Sequence, residues 1–477
     1  MTYPNVLVLD YLETAGQTSP ELQMQAEYYI NLGYQRLFTF EVDGGGFSLF
    51  GSPPADVFLS AYGLMEFHDM SRVYPVDEAL LDRTARWLLR QQDAEGTWAS
   101  RGYSEHWRID DKVPTTAYIA WALIEAGYGE TPEVERALSY VREFALQQED
   151  AYSLALVANA LSAAAPDDSF TEQVLDRLVA MARGDGGAAY WETSTGSFMG
   201  GSGKSGSVET TALAAYALLT AGAHPDVANR ALTYLVQAKD SFGTWQTTQA
   251  TILSLKALLL SVEKASGAAE ATVTVSLNGE QAGPVRVTPE TFDVVQVITF
   301  SDRPFEGENR IEIAAEGEGD LMYQVTAEYY VPWELVPKEP GEAVTVDVAY
   351  DRTDLAVNDE VNVSVQVALE VPDLVANMML VDLGLPPGFE VLAGDLNRLV
   401  EEGLHKEGGV RLSRFDLTGR QIILYLEDLA YGEPFAFSFR LRARYPVKAR
   451  SPASVAYDYY NPEVRAVARP QAVTVSE

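Results

Sequence analysis

The chain has 477 residues, 47% of them hydrophobic, with 34 Lys+Arg against 69 Asp+Glu for a formal net charge of −35, and no cysteine. The length predicts two to four domains with ample core material, and the acidic balance argues against nucleic acid or an anionic membrane surface as partner, because phosphate binding needs basic patches; solubility is the plainer reading of that charge. The missing cysteine excludes disulfides, thiolate metal sites and any Cys nucleophile or thioester within these residues.

The opening stretch MTYPNVLVLDYLETAG has no basic n-region, and no segment reaches the ~18 continuous apolar residues of a membrane span, so neither an export signal nor a span is expected here. Tyr3 to Leu12 reads as the tail of an element begun upstream. Ser19-Pro20-Glu21 then opens a helix, with Ser19 as N-cap and Pro20 at the first helical position, which runs through Gly33-Tyr34-Gln35-Arg36.

Beyond it the chain repeats. RTARWLLRQQDAEGTW and VPTTAYIAWALIEAG, from Arg83 to Gly127, return in part 95 residues later as VETTALAAYALLTAG, with Thr210-Thr211-Ala212 in place of Thr115-Thr116-Ala117 and Gly222 in place of Gly127. Each unit predicts two helices. The first carries an apolar stripe at Trp87, Leu88 and Leu89, and Gly96 permits a turn that Trp98 pins against the next helix. The second is small or apolar nearly all round, the composition of a helix with neighbours on every side.

The glycine-aromatic loop recurs at Asp43 to Phe47, Glu95 to Trp98, Gly186 to Trp191 and Phe242 to Trp245, and Leu146 to Asp150 leads a degenerate copy. A period near fifty with one outer and one inner helix per copy predicts stacked helix pairs, five or six of which close an α/α toroid. The Ala-rich helices form its inner barrel. The Gly-rich GGSGKSGS (200 to 207) fails as a phosphate loop, since no strand precedes it, and reads as a mobile loop before the Val208 helix.

The helical copies end near Ser261, and from Ala271 the period switches to two. Val273, Val275 and Leu277 alternate with polar residues, Asn278-Gly279 is a hairpin turn, and 294 to 300, 309 to 315 and 321 to 331 are further expected strands. Val336 to Gly341 reads as a linker. From Ala343 about seven strands follow, interrupted by one helix at Asp395 to Glu402, which predicts a second sandwich. The fold class is thus α + β multidomain, an α/α toroid of helix hairpins followed by two antiparallel β-sandwich-type units, with boundaries at 1–265, 268–335 and 341–477.

Six stretches, PNVLVLDYL (4 to 12), GYQRL (33 to 37), DGGGFSLFG (43 to 51), AYGL (61 to 64), WLLRQQDAEGTW (87 to 98) and FGTWQTTQAT (242 to 251), together resemble the thioester domain of α2-macroglobulins. VDLGLPPGF (381 to 389) and SPASVAYDYYNPE (451 to 463) look like that family's receptor-binding-type macroglobulin domain, and 271 to 334 is similar to the returning half of its CUB domain. The resemblance covers essentially the whole chain in the family's order. It implies the C-terminal portion of a bacterial-type protease inhibitor, a periplasmic or extracellular setting, and proteases or other proteins as partners through an upstream macroglobulin region. The family's Cys-Gly-Glu-Gln element lies shortly before the stretch matched by PNVLVLDYL, so the resemblance implies the scaffold without its thioester.

In some members a histidine attacks the thioester to form a more reactive acyl-imidazole. His106, in the polar loop RGYSEHWRIDD, has a placement similar to that activating residue; a surface loop histidine is the plainer reading. His68, His224 and His405 have no such context. Glu105 and Asp110-Asp111 raise an α/α-toroid enzyme such as a terpene cyclase, but no DxDD-type acid element is present, and a prenyltransferase zinc site lacks its usual Cys. Trp98, Trp191 and Trp245 read as loop anchors, not as a carbocation cavity. No cofactor, metal or enzymatic activity is expected. A free-standing, non-covalent interaction module is the alternative to the inhibitor reading.

Overall fold

The computed structural model describes residues 2–14, 19–42, 44–99, 111–184, 187–239, 244–245, 247–264, 270–289, 291, 296–300, 307–319, 321, 323–327, 330–333, 335, 343–372, 375–404 and 408–477. They fall into two compact units: one holds the helical repeats and the chain as far as Thr326, and the other holds Ala327–Glu477 together with Thr195–Ser207.

The first unit is an α/α toroid. Its helices are α1 (Thr2–Thr14), α2 (Pro20–Phe38), α3 (Val57–Met70), α4 (Glu78–Gln91), α5 (Lys112–Glu125), α6 (Pro132–Phe144), α7 (Ala151–Ala164), α8 (Ser169–Ala180), α9 (Gly203–Ala221), α10 (Pro225–Gln237) and α11 (Thr248–Lys264). The odd-numbered helices form the inner barrel. Helix α3 packs on α5, α5 on α7, and α1 sits between α3 and α11, closing the ring. Asn159 Nδ2 donates to the Leu213 carbonyl at 2.9 Å to join α7 to α9, and Lys264 Nζ donates to the Thr220 carbonyl at 3.1 Å to join α9 to α11. The run Val113 to Leu123 is buried without a break, as an apolar helix with neighbours on all sides requires.

The expected helix starts are present. Ser19 caps α2, accepting from the Leu22 N–H at 3.2 Å with Pro20 at the first position. Gly127 and Gly222, the matched ends of the repeat, both take left-handed backbone at φ 88° and 65°. In each case the following N–H reaches back into the helix, Tyr128 to Leu123 O at 2.8 Å and Ala223 to Leu218 O at 3.0 Å, a cap that favours glycine.

The aromatic loops bracket outer helix to inner helix by the same two bonds each time. Trp98 donates its backbone N–H to Thr116 Oγ1 at 3.3 Å and its indole N–H to the Leu88 carbonyl at 2.8 Å. Trp191 does the same with Thr211 Oγ1 (3.1 Å) and Leu178 O (2.6 Å), and Trp245 with Thr251 Oγ1 (3.3 Å) and Leu235 O (2.6 Å). All three rings are fully buried. In the first copy Phe47 keeps only the backbone bond, to Ser60 Oγ at 2.8 Å.

After the helices, Glu270–Leu277 pairs antiparallel with Ile311–Glu318 along its full length, and with the short Glu280–Gln281 and Val285–Val287. Two expected strands, 294–300 and 321–331, are not seen among the described residues. Residues 296–300, and the described residues of 321 to 331, carry no strand assignment. The side chains of Val297, Tyr323 and Val325 are exposed, so strand propensity there has no buried face to reinforce it.

The second unit holds three sheets. Arg411–Leu417, Gln421–Ala430, Val375–Gly384, Ser454–Asp458 and Asn461–Ala468 form the first in that order; Phe389–Val391, Phe435–Ala443, Glu360–Leu369 and Val344–Tyr350 form the second; Val447–Arg450, Ala472–Ser476 and Asp354–Ala356 form the third. Along Glu360–Leu369 the buried residues Val361, Val363, Val365 and Val367 alternate with Asn362, Ser364 and Gln366, the period of a strand with one face in the core. The expected helix is α12 (Gly394–Leu404), and Arg440 grips its first turn through Nε and Nη2 to the two oxygens of Asp395 at 2.9 and 3.0 Å.

The Gly-rich run differs from expectation. Gly203 to Ser207 are not a mobile loop but the first turns of α9, held within the second unit by Ser205 Oγ donating to the Tyr460 carbonyl at 2.6 Å and by Lys204 Nζ against Glu463 at 3.2 Å. Side-chain capture of a glycine-rich segment compensates its low helix propensity.

The bracket bonds set a measurable stability. Trp98→Phe keeps the ring and the backbone bond but strands the Leu88 carbonyl, and should lower the unfolding free energy by about 1–2 kcal/mol in urea titration. Equal stability of the variant would show the indole bond to be dispensable.

Candidate functional site

The structure disperses the polar residues singled out from the sequence. His106, Glu105, Asp110 and His405 lie outside the described residues. Asp111 is the N-cap of α5, accepting from the Val113 N–H at 2.8 Å. His224 precedes α10 in left-handed backbone and places Nε2 2.9 Å from Asp176 Oδ1. His68 is on α3, where burial lowers its pKa and keeps the imidazole neutral. Trp98, Trp191 and Trp245 are the loop anchors already described.

What the toroid does bring together is a buried polar cluster that sequence reading missed. Tyr3 from α1, Asp69 from α3 and Lys256 from α11 meet in its interior: Lys256 Nζ lies 2.7 Å from Asp69 Oδ2 and 3.2 Å from Tyr3 OH, and the Tyr3 hydroxyl donates to the same carboxylate oxygen at 2.6 Å. Burial works against the Asp69 charge. The ammonium and the two hydrogen bonds outweigh it and hold the carboxyl below the usual carboxylate range. Burial likewise opposes the charge on Lys256, but Asp69 prevails and raises its pKa, so this lysine is a fixed cation and not a nucleophile.

Glu66 sits one turn before Asp69 on α3. Its burial, reinforced by the Asp69 charge, pushes the carboxyl pKa up to about 8, so the group is neutral at pH 7. Around it are aromatic groups. Burial first and Glu66 second raise the phenols of Tyr62 and Tyr118. The Tyr118 ring packs on Phe58 at 4.7 Å and edge-on to Trp121 at 6.1 Å, and Trp121 lies 5.6 Å from Tyr216. The sequence signal was an acid and a base inside otherwise apolar inner-helix segments, GLMEFHDM and LSLKALLL.

A second set of buried polar groups lies in the first half of the inner helices. Asp56 caps α3 through Oδ1 to the Leu59 N–H at 2.9 Å, and burial raises its pKa. Glu209 on α9 is 1% exposed and accepts from Thr247 Oγ1 at 3.4 Å. Asp56 Oδ2 and Gln249 Oε1 find no hydrogen-bond partner among the described residues. Among those residues no group of three or more His, Cys, Asp or Glu could hold a metal, and no helix is long and apolar enough to cross a membrane.

Comparison with known proteins gives one consistent picture. The family model of the A-macroglobulin TED domain matches residues 1–260, and that of the A-macroglobulin receptor binding domain matches residues 375–470. Thioester-containing protein 1 allele R1 of Anopheles gambiae is 25% identical over 97% of this chain and 33% of its own length; ovostatin of Gallus gallus is 23% identical over 98% and 32%. The chain spans about a third of the length of these curated relatives. Native alpha-2-macroglobulin of Escherichia coli, from domain MG7 to the C-terminus, superposes with a TM-score of 0.63 at 17% identity, covering 100% of this chain and 72% of that one. Salmonella alpha-2-macroglobulin reacted with methylamine gives 0.62 at 17% identity, covering 100% and 30%. At that identity the structural likeness is one of fold.

The interior carboxyls make stability pH-dependent with a definite sign. Glu66 binds its proton more tightly folded (about 8) than unfolded (4.5), so its contribution falls as pH rises through that window. Glu66→Gln should therefore stabilise the protein at pH 8 by on the order of 4 kcal/mol, with little change at pH 4.5. Thermal melts across pH 4.5 to 8 check this, and parallel profiles for the two proteins would refute it.

Proposed function

The chain belongs to the A-macroglobulin family, whose TED-domain model spans more than half of it, and from this we infer that it is the C-terminal portion of a macroglobulin-type endopeptidase inhibitor. The observation that carries the reading is the order of the two matched domains along one chain, TED before receptor binding. Proteases are the proposed targets, engaged through an upstream macroglobulin region, in a periplasmic or extracellular setting. The proposed domains are 1–265 for the thioester-like toroid, 268–335 for a partial CUB-like unit and 341–477 for the receptor-binding-type sandwich.

Within these residues the proposed role is scaffold, not chemistry. The sequence holds no cysteine, so no thioester forms from it, and no enzymatic turnover is proposed. His106 is proposed as the residue matching the family's activating histidine. In that role it would face an acyl donor contributed by residues outside this sequence. The missing cysteine also favours a second reading, a free-standing module that binds proteins without covalent capture. Denaturing electrophoresis after incubation with proteases separates the two: a longer polypeptide carrying Cys-Gly-Glu-Gln should give covalent protease adducts, and this chain alone should give none. Adduct formation by this chain would refute the assignment of roles.

The strands after the toroid supply a physical test of incompleteness. Of the eight residues of Ile311–Glu318, seven are exposed, and the side chains of Val297, Tyr323 and Val325 stand in solvent. A sheet this small is marginal in water. In hydrogen exchange, Glu270–Leu277 and Ile311–Glu318 should be less protected than the inner helices, and joining the upstream region should raise their protection more than that of the toroid. Strong, uniform protection across both strands in the isolated chain would show the unit to be self-sufficient.

A further inference from the structure

Exposed apolar side chains are distributed very unevenly over the toroid. Among the described residues up to Lys264, ten large ones are exposed, and nine lie between Val8 and Phe50: Leu146 is the tenth. The outer helices α4, α6, α8 and α10 carry none, as the solvent side of a toroid shell should. Helix α2 breaks that rule. Its inner side, Ala26, Ile30, Tyr34 and Leu37, packs into the core, while its outer side presents Met24, Tyr28 and Leu32 at successive turns, flanked by Leu22 and Tyr29. Met24 is 66% and Tyr28 61% exposed, and a stripe of this kind marks an interaction surface.

We propose that this face docks a second copy of the same chain, α2 against α2, antiparallel about a two-fold axis near Tyr28 and Tyr29. The charges on the face select that partner and that direction. Glu21 lies seven residues before Tyr28 and Arg36 seven residues after Tyr29, two helical turns each way, so both return to the apolar face, and both are exposed. In an antiparallel pair each Glu21 meets the Arg36 of the other copy, and the contact occurs twice by symmetry. A parallel pair would set Glu21 against Glu21 and Arg36 against Arg36, which opposes association. The two adjacent tyrosines, edge-on to each other at 5.5 Å, occupy the centre, where an interface gains most from aromatic side chains. A net charge of −35 on each copy repels at long range, so the contact belongs to ionic strengths near 0.15 M, where the screening length is about 8 Å.

Sedimentation equilibrium of the purified 477-residue chain, at concentrations up to on the order of 100 µM, tests this. A reversible dimer is expected. Met24→Glu with Leu32→Glu should abolish it while leaving circular dichroism and melting temperature unchanged, since both side chains point to solvent. Glu21→Arg alone and Arg36→Glu alone should each weaken it roughly tenfold, and the two together should restore it. A monomeric wild type, a dimer indifferent to the double Glu variant, or failure of the charge swap to restore association would each overturn the proposal. So would α2 amides that gain exchange protection only in a longer polypeptide, a result that would assign the face to an upstream region of the same chain.

Discussion

The toroid depends on the tryptophan that ties an outer helix to the inner helix following it. Leu88, Leu178 and Leu235 all lie in the last turn of α4, α8 and α10, where helical carbonyls lack an i+4 donor, although Leu178 O also accepts from the Met181 N–H at 3.1 Å. A buried indole N–H needs an acceptor, and a buried helix end needs donors, so one contact satisfies both. The backbone N–H of the same residue is then met by a threonine on the inner helix. Three groups that would each cost about 1–3 kcal/mol if buried unpaired are resolved at a single residue. This is why a glycine loop ending in tryptophan and a downstream threonine recur together while the helix surfaces between them vary.

Where the tryptophan is missing, other groups fill its place. The first copy has Phe47, which keeps the backbone bond to Ser60 but has no ring donor to offer α2. The degenerate copy has no aromatic loop, and Asp150 takes over. Its carboxylate caps α7 through the Tyr152 and Ser153 N–H groups and also accepts from the Ser194 N–H at 2.7 Å, drawing a later loop onto the helix start. A charged acceptor shared among several donors is stronger than a neutral one, so a single aspartate substitutes for a two-bond bracket.

Much of this fold was legible because it is periodic. The alternation of amphipathic outer and wholly apolar inner helices, the matched glycines at 127 and 222 and the Ser19 cap are local statements, and local chemistry enforces them. The described residues of 294–300 and 321–331 carry no strand assignment, and the reason such expectations fail is that pairing is not local: Val and Tyr at alternate positions favour a strand only when an edge is within reach. The Gly-rich run was misread for a similar reason, since the bond from Ser205 to the Tyr460 carbonyl spans 255 residues. The interior cluster escaped for a third. Nothing in GLMEFHDM says that its Asp will face a lysine 187 residues later, and periodicity arguments treat both as interruptions.

That lysine explains how a ring built from similar units closes in one register. Apolar inner helices are nearly interchangeable at the seam, because Ala and Leu surfaces accept many sliding positions. The seam here joins α1 and α3 to α11, and the contact between Tyr3 and Lys256 spans 253 residues. Separating Lys256 from Asp69 by a slipped helix would leave a charge buried without its partner, which costs about 3–5 kcal/mol. The pair adds little net stability over apolar replacements, yet it makes every wrong register expensive. It also fixes α1 at its very first turn, against Gly33, where an added Cβ would fall 1.7 Å from Thr2 Oγ1. The start of α1 is thus held from two sides, by a packed glycine on α2 and by a buried ion pair on α3 and α11. Such rigidity suits the place from which, in the proposed reading, an acyl-donor segment would have to be presented.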